Sequence, residues 1–119
     1  GVPCAVGAVG PLAVLEAAAA EAGAPLLARD RDWRIGPAPG GAGDLRYADA
    51  AGALDLPPPS LAGPHQAENA GIAIAALRAW NPPWLTAEAA AAGIASAEWP
   101  ARLQRLRGRL AASLPGGWE

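Results

Sequence analysis

A histidine and two carboxamide side chains lie close together in residues 63 to 69, whose sequence is G-P-H-Q-A-E-N, directly before a helix-like apolar run. Backbone N–H groups at a helix start are unpaired, and carboxamides in the first turn can both donate and accept hydrogen bonds. Asn and Gln match an adenine edge, which presents one donor and ring-nitrogen acceptors. His65, Gln66 and Asn69 are therefore candidate adenine-binding residues. The same spacing also fits a histidine and a glutamine that only cap the helix and an asparagine at the surface.

A second candidate is Arg102, which lies in the segment W-P-A-R-L-Q-R of residues 99 to 105. An arginine can make a bidentate contact with phosphate, and it can also cover apolar surface with its stem. Arg105, Arg107 and Arg109 follow closely, so a solvated basic face is the alternative interpretation of this segment.

The sequence contains neither Lys nor Met, and both absences bear on what the chain can be. All basic residues are Arg, and a Walker-type loop needs a lysine to reach the β- and γ-phosphates. A phosphate-binding loop of that type is therefore expected outside this chain. There is also no Met, so we expect the chain to be an internal fragment.

The net charge of −2 and the pI near 5.3 provide no basic field for nucleic acid, so we expect no such partner. Cys4 is the only cysteine, which excludes an internal disulfide and a multi-cysteine zinc site and fits a reduced cytoplasm. Apolar stretches are interrupted well before about 18 residues, and no signal peptide is visible. We expect no membrane span.

The first part of the sequence predicts a strand–helix–strand unit of an α/β fold. Apolar runs at residues 2 to 7 and 25 to 28 predict two short strands. The helix between them is predicted over residues 11 to 22, since Pro11 suits its first turn and Gly23 the position just past its end. Three residues at helical spacing form its sheet-facing side: Leu12, Leu15 and Ala19.

Alternating residues on both sides of a Gly/Pro-rich loop at 36 to 43 predict a β-hairpin, with strands near 33 to 35 and 45 to 48. Residues 54 to 56 are a further extended piece, which three prolines at 57 to 59 bring to an end.

Two more helices are predicted in the second half. The longer one runs from Pro64 to just before Pro82 and is apolar on most faces, as is typical of a helix buried in a larger assembly. Its main stripe has four members: Ala70, Ala73, Leu77 and Trp80. The shorter one is capped by Thr86 and runs through Ala92, with Gly93 as its stop. Residues 103 to 114 fit either a helix or a strand.

Three landmarks together resemble a known family. Residues 57 to 77 are similar to the pattern "L-P-x-P-x-L-x-G-x-H-Q-x-x-N-A…A-L" of folylpolyglutamate synthase/dihydrofolate synthase, within the Mur ligase superfamily. Residues 99 to 105 resemble that family's "W-P-G-R-L-Q", and residues 1 to 33 its "G-V-P…G-A-P-L…R-D-W". Ala101 departs from the family's usual glycine, which removes backbone freedom beside Arg102.

The resemblance implies an ATP-dependent ligase that joins L-glutamate to dihydropteroate or to folyl-glutamates through an acyl phosphate. It implies that Asn69 contacts the adenine of ATP and that Arg102 reaches ATP near the junction with the C-terminal domain. His65 and Gln66 match the motif and are expected to hold the helix start. Mg²⁺ is implied as a cofactor, with its ligands and the phosphate loop expected outside this chain.

The predicted fold is therefore the end of a Mur-ligase-type P-loop ATPase domain plus the beginning of a Rossmann-like C-terminal domain. Residues 1 to 98 are assigned to the central ATP-binding domain, and 99 to 119 to the linker and the start of the next domain. We expect a cytoplasmic monomer acting on small molecules, inactive as this chain alone. The alternatives are a non-catalytic α/β binding or scaffold module and a fragment of a Mur peptidoglycan ligase.

Overall fold

A computed structural model describes residues 1–7 and 10–99, which form two small sheets and three helices. The elements follow one another as β1 (Cys4–Val6), α1 (Leu12–Glu21), β2 (Leu26–Ala28), β3 (Trp33–Pro37), β4 (Leu45–Asp49), β5 (Gly52–Leu56), α2 (Gln66–Trp80) and α3 (Ala87–Ser96). None of the helices in this part of the chain is long and apolar enough to cross a bilayer. The predictions for Arg102 and for residues 103 to 114 lie outside the described residues.

The first three elements form the predicted strand–helix–strand unit. β1 and β2 are parallel, with Cys4 opposite Leu26 and Val6 opposite Ala28, and α1 is the crossover between them. Parallel strands need such a crossover because the end of one strand and the start of the next lie at opposite edges of the sheet. The predicted stripe of α1 is confirmed, since its half-buried residues are Leu12, Leu15 and Ala19.

Gly23 ends α1 as its sequence position predicts. Its φ of 61° lies in the left-handed region, which a residue without a Cβ adopts at little cost. Ala24 N donates to Ala19 O at 2.8 Å, and Gly23 N donates to Ala20 O at 3.1 Å. This pair of hydrogen bonds is a Schellman motif, and it satisfies carbonyls that the helix end would otherwise leave unpaired.

The second sheet is an antiparallel meander of β3, β4 and β5. The predicted hairpin is confirmed, with Trp33 opposite Asp49 and Pro37 opposite Leu45. Alternation places the apolar side chains of one face toward the core: Trp33, Ile35, Leu45, Tyr47 and Leu56. The outward residues, such as Arg34 and Arg46, are exposed, as expected for a sheet with one solvated face.

The tight turn between β4 and β5 was not predicted. Residues 50 and 51 are both alanine and carry no turn signal, so only residues 54 to 56 were expected to be extended. In the structure Asp49 Oδ1 accepts a hydrogen bond from Ala51 N at 2.8 Å, and Gly52 has a φ of 124°. An aspartate closing its own turn and a glycine at positive φ replace the usual Asn-Gly pair.

Helix α2 packs across the inner face of the meander, and its predicted stripe is confirmed only for Ala70, which is buried, and Leu77, which is half-buried. Its buried residues are Ala70, Gly71, Ile74 and Ala75. Ala73 is exposed, and Trp80 is 67% exposed. The buried face is instead centred near Gly71, because a residue without a side chain lets the Trp33 ring approach the helix backbone.

Helix α3 begins where predicted and ends later. Thr86 Oγ1 accepts a hydrogen bond from Ala89 N at 3.1 Å, which confirms the cap. The predicted stop at Gly93 is wrong, since the helix continues to Ser96. An interior glycine costs a helix about 1 kcal/mol, but Ile94, one residue further on, packs against the core and offsets that cost.

Candidate functional site

The turn before α2 requires a glycine. Gly63 has a φ of 122°, in the region that side chains rarely adopt, and an added Cβ would lie 2.7 Å from His65 Cε1. Gln66 N donates to Gly63 O at 3.2 Å and closes the turn. The chain therefore folds back at Gly63 and places the imidazole of His65 against it.

The three candidate residues of this segment form one hydrogen-bonded relay. Asn69 Nδ2 donates to Gln66 Oε1 at 3.2 Å, and Gln66 Nε2 lies 3.2 Å from His65 Nε2. An amide nitrogen only donates, so His65 Nε2 is the acceptor and its ring proton lies on Nδ1. Gln66 Nε2 also lies 3.4 Å from Ala62 O, which is consistent with the same amide orientation. The relay holds both carboxamides in one arrangement.

The structure also tests the capping interpretation. His65 occupies the N-cap position of α2, but its side chain makes no capping hydrogen bond. The Gln66 amide donates to a carbonyl that precedes the helix rather than accepting from a helix N–H. The side chains of His65 and Gln66 therefore orient each other and Asn69 and do not cap the helix.

Asn69 is exposed and presents both kinds of hydrogen-bonding group. Its Nδ2 carries a second hydrogen besides the one that Gln66 accepts, and within the described residues no group donates to its Oδ1. A donor and an acceptor side by side are what an adenine edge requires. The residues present at the start of α2 therefore fit an adenine nucleotide.

The start of α2 lies at the carboxyl edge of the parallel sheet. Arg29 directly follows β2, and its N–H donates to Val6 O at the end of β1 at 3.1 Å. Arg29 Nη1 lies 3.1 Å from Glu68 Oε1, in the first turn of α2. Ligands of open α/β sheets bind outside the carboxyl ends of the strands, so the relay occupies the expected side of the sheet.

Arg29 and Glu68 were not predicted as parts of this site. A signal for both was present, because Arg29 follows a predicted strand and Glu68 lies in the first turn of a predicted helix. A carboxylate in a first turn also interacts favourably with the positive end of the helix dipole. What the sequence does not contain is the packing that brings the two charges within 3.1 Å of each other.

A polar cluster fixes the other half of α2 on the meander. Tyr47 donates to Asp49 Oδ2 at 2.9 Å, and Arg78 Nη1 lies 3.2 Å from Asp49 Oδ1. The Arg78 guanidinium also lies 5.6 Å from the centre of the Tyr47 ring, a cation–π geometry. Burial raises the pKa of the Tyr47 hydroxyl well above its usual value of 10.0, and the bond to Asp49 raises it further.

A cavity of about 590 Å³ lies beside this cluster, and Arg31 and Asp32 are among its lining residues. Arg31 Nε donates to Asp32 Oδ2 at 2.9 Å, and Arg31 also pairs with Glu16. These contacts raise the pKa of Arg31. Arg31 is thus held by two carboxylates, Asp32 within the cavity lining and Glu16 outside it.

Comparisons with known proteins identify what the fold resembles. No protein-family model matches the chain, and no curated protein does. A folylpolyglutamate synthetase structure from Lactobacillus casei matches at 30% identity with a TM-score of 0.69, covering 91% of this chain and 29% of that one. The chain has the fold of part of a folylpolyglutamate synthetase. The predicted resemblance and the α/β fold class are thereby confirmed, with parallel and antiparallel sheets that match the Mur-ligase-like domains of these enzymes.

Two further structures support the same assignment. Folylpolyglutamate synthase from Thermotoga maritima matches at 26% identity with a TM-score of 0.75, covering 88% of this chain and 25% of that one. E. coli FolC matches at 34% identity with a TM-score of 0.66, covering 80% of this chain and 21% of that one. The chain therefore spans less than a third of the folylpolyglutamate synthetases that it matches.

Several of these folylpolyglutamate synthetase structures contain ligands. One complex holds AMPPCP and another AMPPCP with folate, and E. coli FolC was solved with DHPP and ADP. In our chain, the described residues contain no group of three or more His, Cys, Asp or Glu side chains that could hold a metal ion.

Proposed function

We propose that the chain is part of an ATP-dependent amide ligase that adds L-glutamate to dihydropteroate, to folyl-glutamates or to both. The reaction would proceed through an acyl phosphate on the substrate carboxylate, which the amine of glutamate then attacks. The observation that carries the proposal is the His65–Gln66–Asn69 relay, exposed at the carboxyl edge of a parallel sheet in a fold shared with folylpolyglutamate synthetases. On this proposal the chain contributes the adenine side of the ATP site.

Each relay residue has a proposed role in nucleotide binding. Asn69 contacts the adenine through its carboxamide, with Nδ2 donating and Oδ1 accepting. Gln66 and His65 hold that carboxamide in place through two contacts of 3.2 Å. Bound ATP supplies the phosphoryl group that activates the carboxylate. The chain's own residues only bind and orient the nucleotide, so we propose that the chain alone is inactive.

The remaining parts of the ligase are assigned by resemblance. Arg102 is proposed to reach ATP near the domain junction, where a guanidinium can make a bidentate phosphate contact. Residues 1 to 98 are proposed to belong to the central ATP-binding domain, and 99 to 119 to the linker and the start of the C-terminal domain. A lysine-containing phosphate loop and the ligands of a Mg²⁺ ion are proposed to lie outside this chain.

The proposed setting follows from the same family. We propose that the ligase acts as a cytoplasmic monomer on dihydropteroate or folate, L-glutamate and ATP, with neither nucleic acid nor membrane as a partner. The single, exposed Cys4 and the net charge of −2 are compatible with this setting.

Calorimetric titration of the chain with AMPPCP, ADP and a guanine nucleotide tests the nucleotide site. We expect adenine nucleotides to bind at least about tenfold more tightly, because guanine reverses the donor and acceptor that Asn69 meets and a good bidentate base contact discriminates by about 1–3 kcal/mol. Equal affinities would exclude the adenine role. Absence of binding to every nucleotide would favour the non-catalytic α/β module.

The substrate class needs a separate assay on the whole ligase. Incorporation of glutamate into dihydropteroate and into a reduced folate monoglutamate separates the two proposed activities from each other. Activity on neither substrate, with activity on a peptidoglycan precursor, would instead support a Mur peptidoglycan ligase.

A further inference from the structure

One ion pair connects the start of α2 to the parallel sheet. Arg29 Nη1 lies 3.1 Å from Glu68 Oε1, with the two side chains 27% and 30% exposed. A pair that is largely removed from water is screened less than a surface pair, and loss of one partner leaves a charge in a partly buried place.

We propose that Arg29 and Glu68 are positioning residues for nucleotide binding. Their ion pair holds the first turn of α2, and with it the Asn69 carboxamide, at the carboxyl ends of β1 and β2. This inference rests on the proposed nucleotide site and adds to it two residues that do not themselves contact the base.

Arg29 is fixed on the sheet side of the pair. Its backbone N–H donates to Val6 O at 3.1 Å, and it forms an isolated bridge with Trp33, which begins β3. Within residues 1–7 and 10–99, its buried Nε has no hydrogen-bond partner, and Asp30 Oδ2 lies 3.7 Å away, beyond hydrogen-bonding distance. The contact between Nη1 and Glu68 is therefore the one that orients the guanidinium.

Glu68 is confined on the other side by Gly7. A Cβ at Gly7 would overlap Glu68 Oε1 and would lie 2.9 Å from its Cδ. The Glu68 carboxylate thus fills the space that the missing side chain leaves just past the end of β1.

A displacement of Glu68 would pass directly to Asn69, the next residue. Both lie in the first turn of α2, where Asn69 N donates to His65 O at 3.0 Å and Asn69 Nδ2 donates to Gln66 Oε1 at 3.2 Å. The turn and the relay move together, so a first turn released from Arg29 would carry the Asn69 carboxamide with it.

Titration of the chain with ADP and AMPPCP tests the proposal. Glu68→Gln should weaken binding at least about fivefold, the lower end of coupling between linked sites. Gly7→Ala retains both charges but pushes the carboxylate away, and it should weaken binding similarly. Asp55→Asn is the matched control, because it removes a carboxylate from an exposed pair on β5, 2.6 Å from Arg46 Nε, and it should leave binding unchanged.

Two further measurements separate positioning from general stability. In an Asn69→Ala background, Glu68→Gln should cause no further loss of affinity, because Glu68 acts through Asn69. Without nucleotide, the Asn69 amide should exchange its hydrogen at least about fivefold faster in Glu68→Gln than in wild type, since a released first turn opens more readily.

The results of these measurements distinguish a failure of the positioning proposal from a failure of the proposed function. If wild type binds nucleotide and Glu68→Gln binds equally well, or if its loss adds fully to that of Asn69→Ala, the positioning proposal is overturned while the proposed function stands. If neither this chain nor the whole ligase binds nucleotide, the proposed function is overturned and this inference with it. If the Asn69 amide exchanges its hydrogen at the same rate in Glu68→Gln and in wild type, that result alone overturns the positioning role.

Discussion

The ring of Trp33 occupies the space in which a Cβ at Gly71 would lie. An added Cβ would overlap Trp33 Cζ3 and would lie 2.9 Å from Ile35 Cγ2 and 3.2 Å from Ile35 Cβ. Trp33 is 2% exposed, and its ring stacks on that of Tyr47 with a centroid distance of 6.1 Å. The absence of a side chain at Gly71 therefore determines how closely α2 approaches the meander.

Gly71→Ala should lower the free energy of unfolding by up to about 2 kcal/mol. Overpacking a well-filled core costs about 1–3 kcal/mol, and the gain in helix propensity, about 1 kcal/mol, offsets only part of it. Urea denaturation of both chains measures the difference. Gly93→Ala is the matched control: Gly93 lies inside α3 with open space around it, so the same substitution should stabilise by about 0.5–1 kcal/mol. Opposite signs at the two glycines would confirm the close packing at Gly71, and stabilisation at both would contradict it.

Asn69→Ala should weaken the binding of adenine nucleotides while leaving the fold intact. The side chain is exposed, and within the described residues its hydrogen-bond partner is Gln66, so its removal should change the free energy of unfolding by no more than about 0.5 kcal/mol. The binding free energy of ADP should weaken by about 1–3 kcal/mol, which is roughly a fivefold to 150-fold loss of affinity. Calorimetry for binding and circular dichroism for folding measure the two quantities on the same samples. A large loss of folding stability would assign Asn69 a structural role instead.

Tyr47 should resist ionisation in the folded chain. Burial and the bond to Asp49 raise its pKa above the usual 10.0, so the unfolded chain releases this proton at lower pH than the folded one. The free energy of unfolding that Tyr47 contributes is therefore fully present below pH 10 and falls as the pH rises above it. Because Tyr47 is the only tyrosine, tyrosinate absorbance reports on it alone. A folded chain that forms tyrosinate at pH 10 would contradict the expectation. A Tyr47→Phe chain whose free energy of unfolding falls above pH 10 as much as that of wild type would contradict it too.

Thr86→Ala should destabilise α3 by about 0.5–2 kcal/mol, because Ala89 N loses the side-chain oxygen that accepts its hydrogen at 3.1 Å. The Thr86 side chain also helps to lower the pKa of Glu88, after the larger effect of the Glu88 backbone N–H. Thermal denaturation measures the loss of stability. Thr86→Ser retains the hydroxyl oxygen and should remain close to wild type. If both variants lose the same stability, the methyl group rather than the cap is responsible.

Most helices and strands could be predicted from residues that interact only with residues close to them in the sequence. Gly23 ends α1 and Thr86 begins α3 through hydrogen bonds that span only a few residues, and such bonds are encoded by residue type and position. Alternation in residues 33 to 35 and 45 to 48 predicted the hairpin, because strand side chains point to opposite faces in turn. The three residues of the relay were predicted as candidates for one site because they are close in sequence, but the hydrogen bonds among them were not predicted.

Other features depend on groups far apart in the chain. Gly93 is helical because Ile94 packs against the core, and α2 turns its small residues to the sheet because Trp33 fills the space beside Gly71. The contact between Arg29 and Glu68 exists only once α2 docks at the carboxyl edge of the parallel sheet. The sequence alone thus determined where elements begin and which side chains could meet a nucleotide, because those depend on short-range bonds and periodicity. Only the tertiary structure decided which face of α2 is buried and which charges meet at the start of α2, because both depend on the shape of the partner surface.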